Sequence, residues 1–175
     1  MKRLALLVLL GGCSIADEPY PVRWDPLPLP SSSDCRHFRG FYADRGESTT
    51  STLRPSLSRE LFGEDGPWEK AVSVELDPGD DTLDIRVAVP GSVFTRRLTR
   101  AAGEFACDRG RLMVHSKRWI YSDLMSGRES VTIEMHRADP HLVARVDELT
   151  TGVMFLVVPL SGESARWFRF QRLQP

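Results

Sequence analysis

The sequence predicts an all-β domain: an antiparallel meander of seven to nine strands with one short helix, closed as a barrel or folded as a β-sandwich. Three observations lead there. After Asp34 the apolar residues recur mostly with period two, as half-buried strands require. Turn residues punctuate that pattern at short, even spacing. Only one stretch has helix start and stop signals.

Taken in order, Phe38-Arg39-Gly40-Phe41-Tyr42 opens the domain as a first strand. SLSRELF, residues 56–62, is the helix candidate, with Pro55 before it and Gly63 after it. AVSVELD, residues 71–77, sets Val72, Val74 and Leu76 on one face. Pro78-Gly79-Asp80-Asp81 turns the chain into TLDIRVAV, residues 82–89, with Leu83, Ile85, Val87 and Val89 inward. Pro90-Gly91-Ser92 leads to VFTRRLT, then a short strand at 104–107, a turn at Asp108-Arg109-Gly110 and a longer strand at 111–121. Ser126-Gly127-Arg128 reads as a turn into SVTIEMHR, with Val131, Ile133 and Met135 on one face. Asp139-Pro140, Thr150-Thr151-Gly152 and Ser161-Gly162-Glu163 read as further turns. They separate HLVARVDEL, VMFLVVPL and ARWFRFQRL. VMFLVVPL, residues 153–160, is apolar on both faces, as expected of a strand buried on both sides or covered by a partner.

The first residues have a different logic. Lys2 and Arg3 form a positive head, and Leu4 to Leu10 an apolar run too short to span a bilayer, which needs about 20 residues. Small residues follow, the pattern of a secretion signal. Leu10-Gly11-Gly12-Cys13 resembles the lipobox of bacterial lipoproteins. That resemblance implies residues 1–12 as a signal peptide, a diacylglyceryl thioether on Cys13, and N-acylation (such as palmitate) of its freed amine. Three acyl chains exceed the two signals that stable anchoring needs. Ser14, rather than Asp, follows the cysteine, which by the lipoprotein sorting rule implies the outer membrane, with the domain facing the periplasm. The alternative is an ordinary signal peptide with an incidental cysteine.

Residues 13–34 then form a tether. The stretch 14–34 holds five of the twelve prolines, and alternating Pro26, Pro28 and Pro30 forbid helix and central strand. It reads as an extended spacer, or as a proline-rich ligand with Tyr20 and Trp24 as handles. Residues 35–175 are the globular domain, large enough to bury a core.

Gly40-x-Tyr42, a long loop and an up-and-down meander resemble the lipocalin family, though Tyr42 stands where lipocalins have Trp. The resemblance implies a barrel and an apolar ligand, with Phe94, Trp119, Phe155 and Phe168 as lining residues. FRGFYADRGE and WFRFQRL also resemble small, uncharacterised proteobacterial envelope lipoproteins, which implies no activity.

Charge is nearly balanced, 23 basic against 24 acidic residues, which argues against a polycationic nucleic-acid binder. Cys35 and Cys107 remain once Cys13 is set aside, and in an oxidising compartment they are expected to pair. There is no G-x-S-x-G, no P-loop and no H-E-x-x-H. No cofactor, metal site or catalytic residue is expected, and the domain reads as non-enzymatic. Weaker candidates are His136 with His141 across a turn, and calcium on Asp77, Asp80, Asp81 and Asp84. Arg96, Arg97, Arg100, Arg109 and Arg111 are a further candidate, for phosphate or carboxylate. Two functions are expected: an envelope lipoprotein that binds a protein partner or supports envelope assembly, or a lipocalin-like carrier of a small apolar molecule.

Overall fold

The computed structural model describes residues 17–28, 34–49, 54–121, 125–154 and 158–174. Its strands are β1 (Gly40–Ala43), β2 (Glu47–Ser48), β3 (Ser73–Pro78), β4 (Thr82–Val89), β5 (Ser92–Thr99), β6 (Phe105–Asp108), β7 (Arg111–Tyr121), β8 (Met125–Ala138), β9 (His141–Met154) and β10 (Val158–Leu173). All ladders in this one sheet are antiparallel, in the order β5-β4-β3-β1-β10-β9-β8-β7-β6, with the two-residue β2 added to β10. The all-β expectation is therefore met, and the main path has nine strands.

The sheet is not closed. Its two edges, β5 and β6, are consecutive in the chain and joined by residues 100–104, so the path curls back toward its start. At that seam Glu104 donates its backbone N–H to Thr99, 3.3 Å away, yet no ladder follows. One core fills the concave face, drawing Tyr42, Leu76, Ile85, Leu98, Phe105, Leu112, Ile133, Val146 and Phe170 from all the long strands and the short β1 and β6. Each long strand contributes alternate residues, as the pleat dictates. Val72 departs from its expected inward position and is largely exposed. It follows the 3-10 turn Trp68–Lys70 and lies outside β3, so the alternation starts only at Ser73.

Three expected turns are strand instead. Ser126-Gly127-Arg128, Thr150-Thr151-Gly152 and Ser161-Gly162-Glu163 lie inside β8, β9 and β10 and pair without a break in register. Gly127 faces Gly152, and a Cβ on Gly127 would stand 2.6 Å from the Thr151 carbonyl oxygen. These glycines mark a close backbone approach within a ladder, not a chain reversal. The apolar run 153–160 is likewise not one strand: β9 ends at Met154, β10 begins at Val158, and these two residues pair. It is divided across a hairpin, so the expected doubly buried central strand is absent there.

The helix α1 (Leu57–Phe62) forms where expected. Ser56 caps its start by accepting from the Arg59 amide. The fully buried Asp44 holds that start down: its carboxylate accepts from the Ser58 amide at 2.8 Å and the Ser56 hydroxyl at 2.9 Å. Gly63 ends the helix at φ 90°, a conformation that costs glycine little. At the opposite end of the sheet a 3-10 turn, Arg36–Phe38, buries Phe38, and Tyr42 donates its hydroxyl to the Phe38 carbonyl. Burial pushes the Tyr42 phenol up to about 12. Cys35, just before this turn, is disulfide-bonded to Cys107 of β6.

Residues 17–28 of the expected spacer are packed, not free. Trp24 joins Val143 and Trp167 in a second buried cluster on the convex face, with Tyr20 and Leu27 beside it. Tyr20 and Trp167 meet edge to face at 5.0 Å, and the Trp167 indole donates to the Glu18 carbonyl. Asp17 bridges Ala165 in parallel, and its carboxylate pairs with Arg145. This explains why Trp167 and Phe168, on opposite faces of β10, are both buried.

Candidate functional site

Long strands β7–β10 run past the apolar core, and there the concave face turns ionic. In register, Arg118 faces Glu129, Glu129 faces Thr150, and Glu148 faces Ser164. Arg118 binds Glu129 through Nε, and Arg166 binds Glu148 through Nη2. The Ser164 hydroxyl donates to the second Glu148 oxygen at 3.1 Å. Opposite these strands, α1 presents Arg59 and Glu60, and Arg59 pairs with Glu64 at 3.4 Å. Between helix and sheet lies a cavity of about 200 Å³, lined by Arg54, Arg59, Arg118 and Arg166 together with Glu60, Glu64 and Glu148. Phe168 is its apolar floor, where the ionic region meets the core.

Glu60 has an unusual position in this group. Burial pushes its carboxyl up to about 7; Arg166 and Arg118 oppose the shift, while Glu148 and Glu64 add to it. Four guanidiniums face three carboxyls around the cavity, and Glu129 neutralises Arg118 from behind. Charge therefore balances when Glu60 is ionised, and the group gains one net positive charge when Glu60 binds a proton. Chemically, the arrangement suits a planar anion such as a carboxylate, or a phosphate, held by forked N–H donors.

Of the residues expected to line an apolar pocket, Phe94, Trp119 and Phe168 do not assemble into one. Phe168 is buried in the core. Phe94 packs edge-on against Trp68 at 5.4 Å beside that core. Trp119 points the other way: odd-numbered β7 residues lie on the convex face, and Trp119 is 67% exposed. Phe155 and Cys13 lie outside the described residues. The inward positions that the lipocalin resemblance assigned to a ligand are filled by packed side chains at the core. Where the concave face does open, its lining is charged.

Most of the weaker candidates are taken up by contacts of their own. Asp77, Asp80 and Asp84 are bound one by one to Arg39, Arg36 and Arg97, the last in a two-pronged contact. The Arg97 guanidinium holds the Asp84 carboxyl below its ordinary value. Arg111 is held by Asp108 and Glu134, Arg96 donates to the Leu61 carbonyl, and Arg100 lies over the Phe105 ring. These arginines serve separate contacts rather than one anion site. His136 Nε2 is 2.8 Å from Glu134 and its ring lies 6.3 Å from Trp167, while burial lowers His141. Among the described residues, no group of three or more His, Cys, Asp or Glu side chains is placed to hold a metal ion.

The cavity residues have no contiguous motif in the sequence. Arg59, Glu60, Arg118, Glu148 and Arg166 come from four elements, α1, β7, β9 and β10. The one sequence signal was charged residues at inward positions of otherwise alternating strands, such as Glu129 two residues before Val131. No family model, curated protein or solved structure matches this chain.

Proposed function

We propose that the chain is a lipid-anchored envelope protein whose β-domain binds an envelope partner by taking one of its anionic groups into the cavity under α1. The observation that supports binding is the convergence of Arg54, Arg59, Arg118 and Arg166 on that one opening. The anchor rests on Leu10-Gly11-Gly12-Cys13, the lipobox-like motif. A carboxylate or phosphate displaced from water gains two-pronged hydrogen bonds from guanidiniums of which Arg59, Arg118 and Arg166 are already ordered by carboxylate partners, which lowers the cost of binding. Glu60 sets the condition: its protonated form leaves the cavity net positive, so anion affinity is higher below pH 7 than above it.

The test is a titration of the arginine Nε–H resonances with inorganic phosphate and with acetate, at pH 6 and at pH 8. Binding predicts saturable shifts at Arg118 and Arg166 that are stronger at pH 6 and disappear in Arg166→Gln. Shifts spread evenly over all arginines at both pH values would show only non-specific ion pairing and would end this reading. The anchor is tested separately. Cys13→Ala should move the protein from the membrane pellet to the soluble fraction and remove the acyl mass from its N-terminus. If the variant still sediments with membranes, the lipid anchor is wrong.

A further inference from the structure

We propose that the convex face of β7–β10 around Trp119 is a phospholipid-contacting surface, on which the domain lies against the bilayer that holds its anchor. The inference rests on the lipid-anchor reading and adds an orientation to it.

That face sets exposed aromatic and apolar side chains among hydroxyl and basic ones, Thr151 and Ser161 sharing the row of Trp119. Trp119 and Tyr121 are 67% and 73% exposed and stack on each other at 6.2 Å. Leu149 and Val153 lie on the same face, because odd-numbered residues of β7 and β9 share it. Tyr121 and Val153 both pair with Ser126, so they occupy one row of the sheet. Lys117 and Arg128 supply positive charge, and the Arg128 guanidinium sits 6.0 Å from the Trp119 ring. Glu163 lies at the margin, in the row of Leu149. Tryptophan and tyrosine favour the bilayer interface, and basic residues favour anionic headgroups. Long cationic side chains also keep their charge wet while their stems cover apolar surface.

The length of the anchor selects a lipid surface over other occupants. Asp17 is pinned to Ala165 on this same convex face. Four peptide steps separate Cys13 from Asp17, so the lipidated residue lies within about 14 Å of Asp17 however those steps run. Trp119 shares a row with Ser161, four residues along β10 from Ala165, or ~13 Å. It is three strands away, another ~14 Å, so the separation in the sheet is roughly 20 Å. A spacer of this length leaves the domain no room to stand off from the membrane. The face nearest the acyl chains is also the one bearing Trp119.

Trp24, Trp68 and Trp167 are buried, so Trp119 is the one exposed tryptophan of the four. The lipidated full chain is therefore reconstituted into phosphatidylethanolamine–phosphatidylglycerol vesicles with brominated acyl chains, which quench only tryptophans at the bilayer. The expected result is loss of the exposed-tryptophan emission, several-fold smaller in Trp119→Phe and weaker in Lys117→Glu with Arg128→Glu. Circular dichroism of each variant checks that the fold is kept. A protein that carries its acyl mass and floats with the vesicles, but shows no Trp119 quenching, overturns this surface and leaves the anchor standing. Crosslinking from position 119 to another protein in intact envelopes, without quenching, overturns it in favour of a protein partner. A chain without acyl mass that stays in solution overturns both readings.

Discussion

Glu60 shows how the surroundings of a single side chain tie stability to pH. Its carboxyl is raised from its ordinary 4.5 to about 7, chiefly because burial penalises the charge. The unfolded chain gives up this proton first. The stabilisation is therefore full below pH 4.5, falls as pH rises through 7, and is gone above it. Glu60→Gln cannot ionise, so above pH 7 it should be more stable than the parent by on the order of 3 kcal/mol, with little difference at pH 4. Urea unfolding of both proteins at the two pH values measures this. A gap that does not change with pH would mean that Glu60 titrates normally. No property of Arg59-Glu60-Leu61 in the sequence marks this glutamate as partly buried among other charges. Its surroundings come from the charged lengths of β7, β9 and β10 that face α1 across the cavity, which periodicity along one segment does not describe.

At the scale of elements, the hairpins behaved as their alternation requires wherever a strand had one apolar and one polar face. β4 and β8 are the clearest cases, with Leu83, Ile85 and Val87, and Val131, Ile133 and Met135, all buried. Glycine was the ambiguous letter. Gly79 and Gly91 stand beside real turns, whereas Gly127 and Gly152 are paired strand residues. Their identity reflects contact between neighbouring backbones: a Cβ on Gly152 would come within 2.7 Å of the Gly127 Cα. Gly127→Val should therefore destabilise the protein by roughly 1–3 kcal/mol, the usual cost of overpacking. Amide exchange should locate the loss at residues 126–129 and 150–153 and leave β3 and β4 protected. A variant with parental stability and protection would remove the proposed crowding. The run 153–160 misled for a related reason. Two strand ends and the link between them read as one apolar segment when the register of β9 on β10 is unknown.

For the whole molecule, the disulfide and the docked N-terminal segment fix how the curled sheet is held. Cys35 and Cys107 are 72 residues apart, and the bond ties the start of the domain to the edge strand β6 beside the open seam. In the chain-entropy view, a loop of this size contributes about 4 kcal/mol. A Cys35→Ala, Cys107→Ala double variant should lose about that much in urea unfolding, and reductant should bring the parent to the same midpoint. If reductant has no effect on the parent, the bond is not formed in solution. The sequence by itself determined the β class, the one helix and its bounds, the inward residues of most strands, and the two cysteines available to pair. These follow from local periodicity, turn chemistry and composition, each legible over a few neighbouring residues. Only the tertiary structure decided that the sheet stays open between β5 and β6, that residues 17–28 lie on its convex face, and that Arg118, Glu148, Arg166 and Glu60 share a cavity. Those facts depend on which distant segments pair and at what register, and the energies that select them come from surfaces that meet only once the chain has folded.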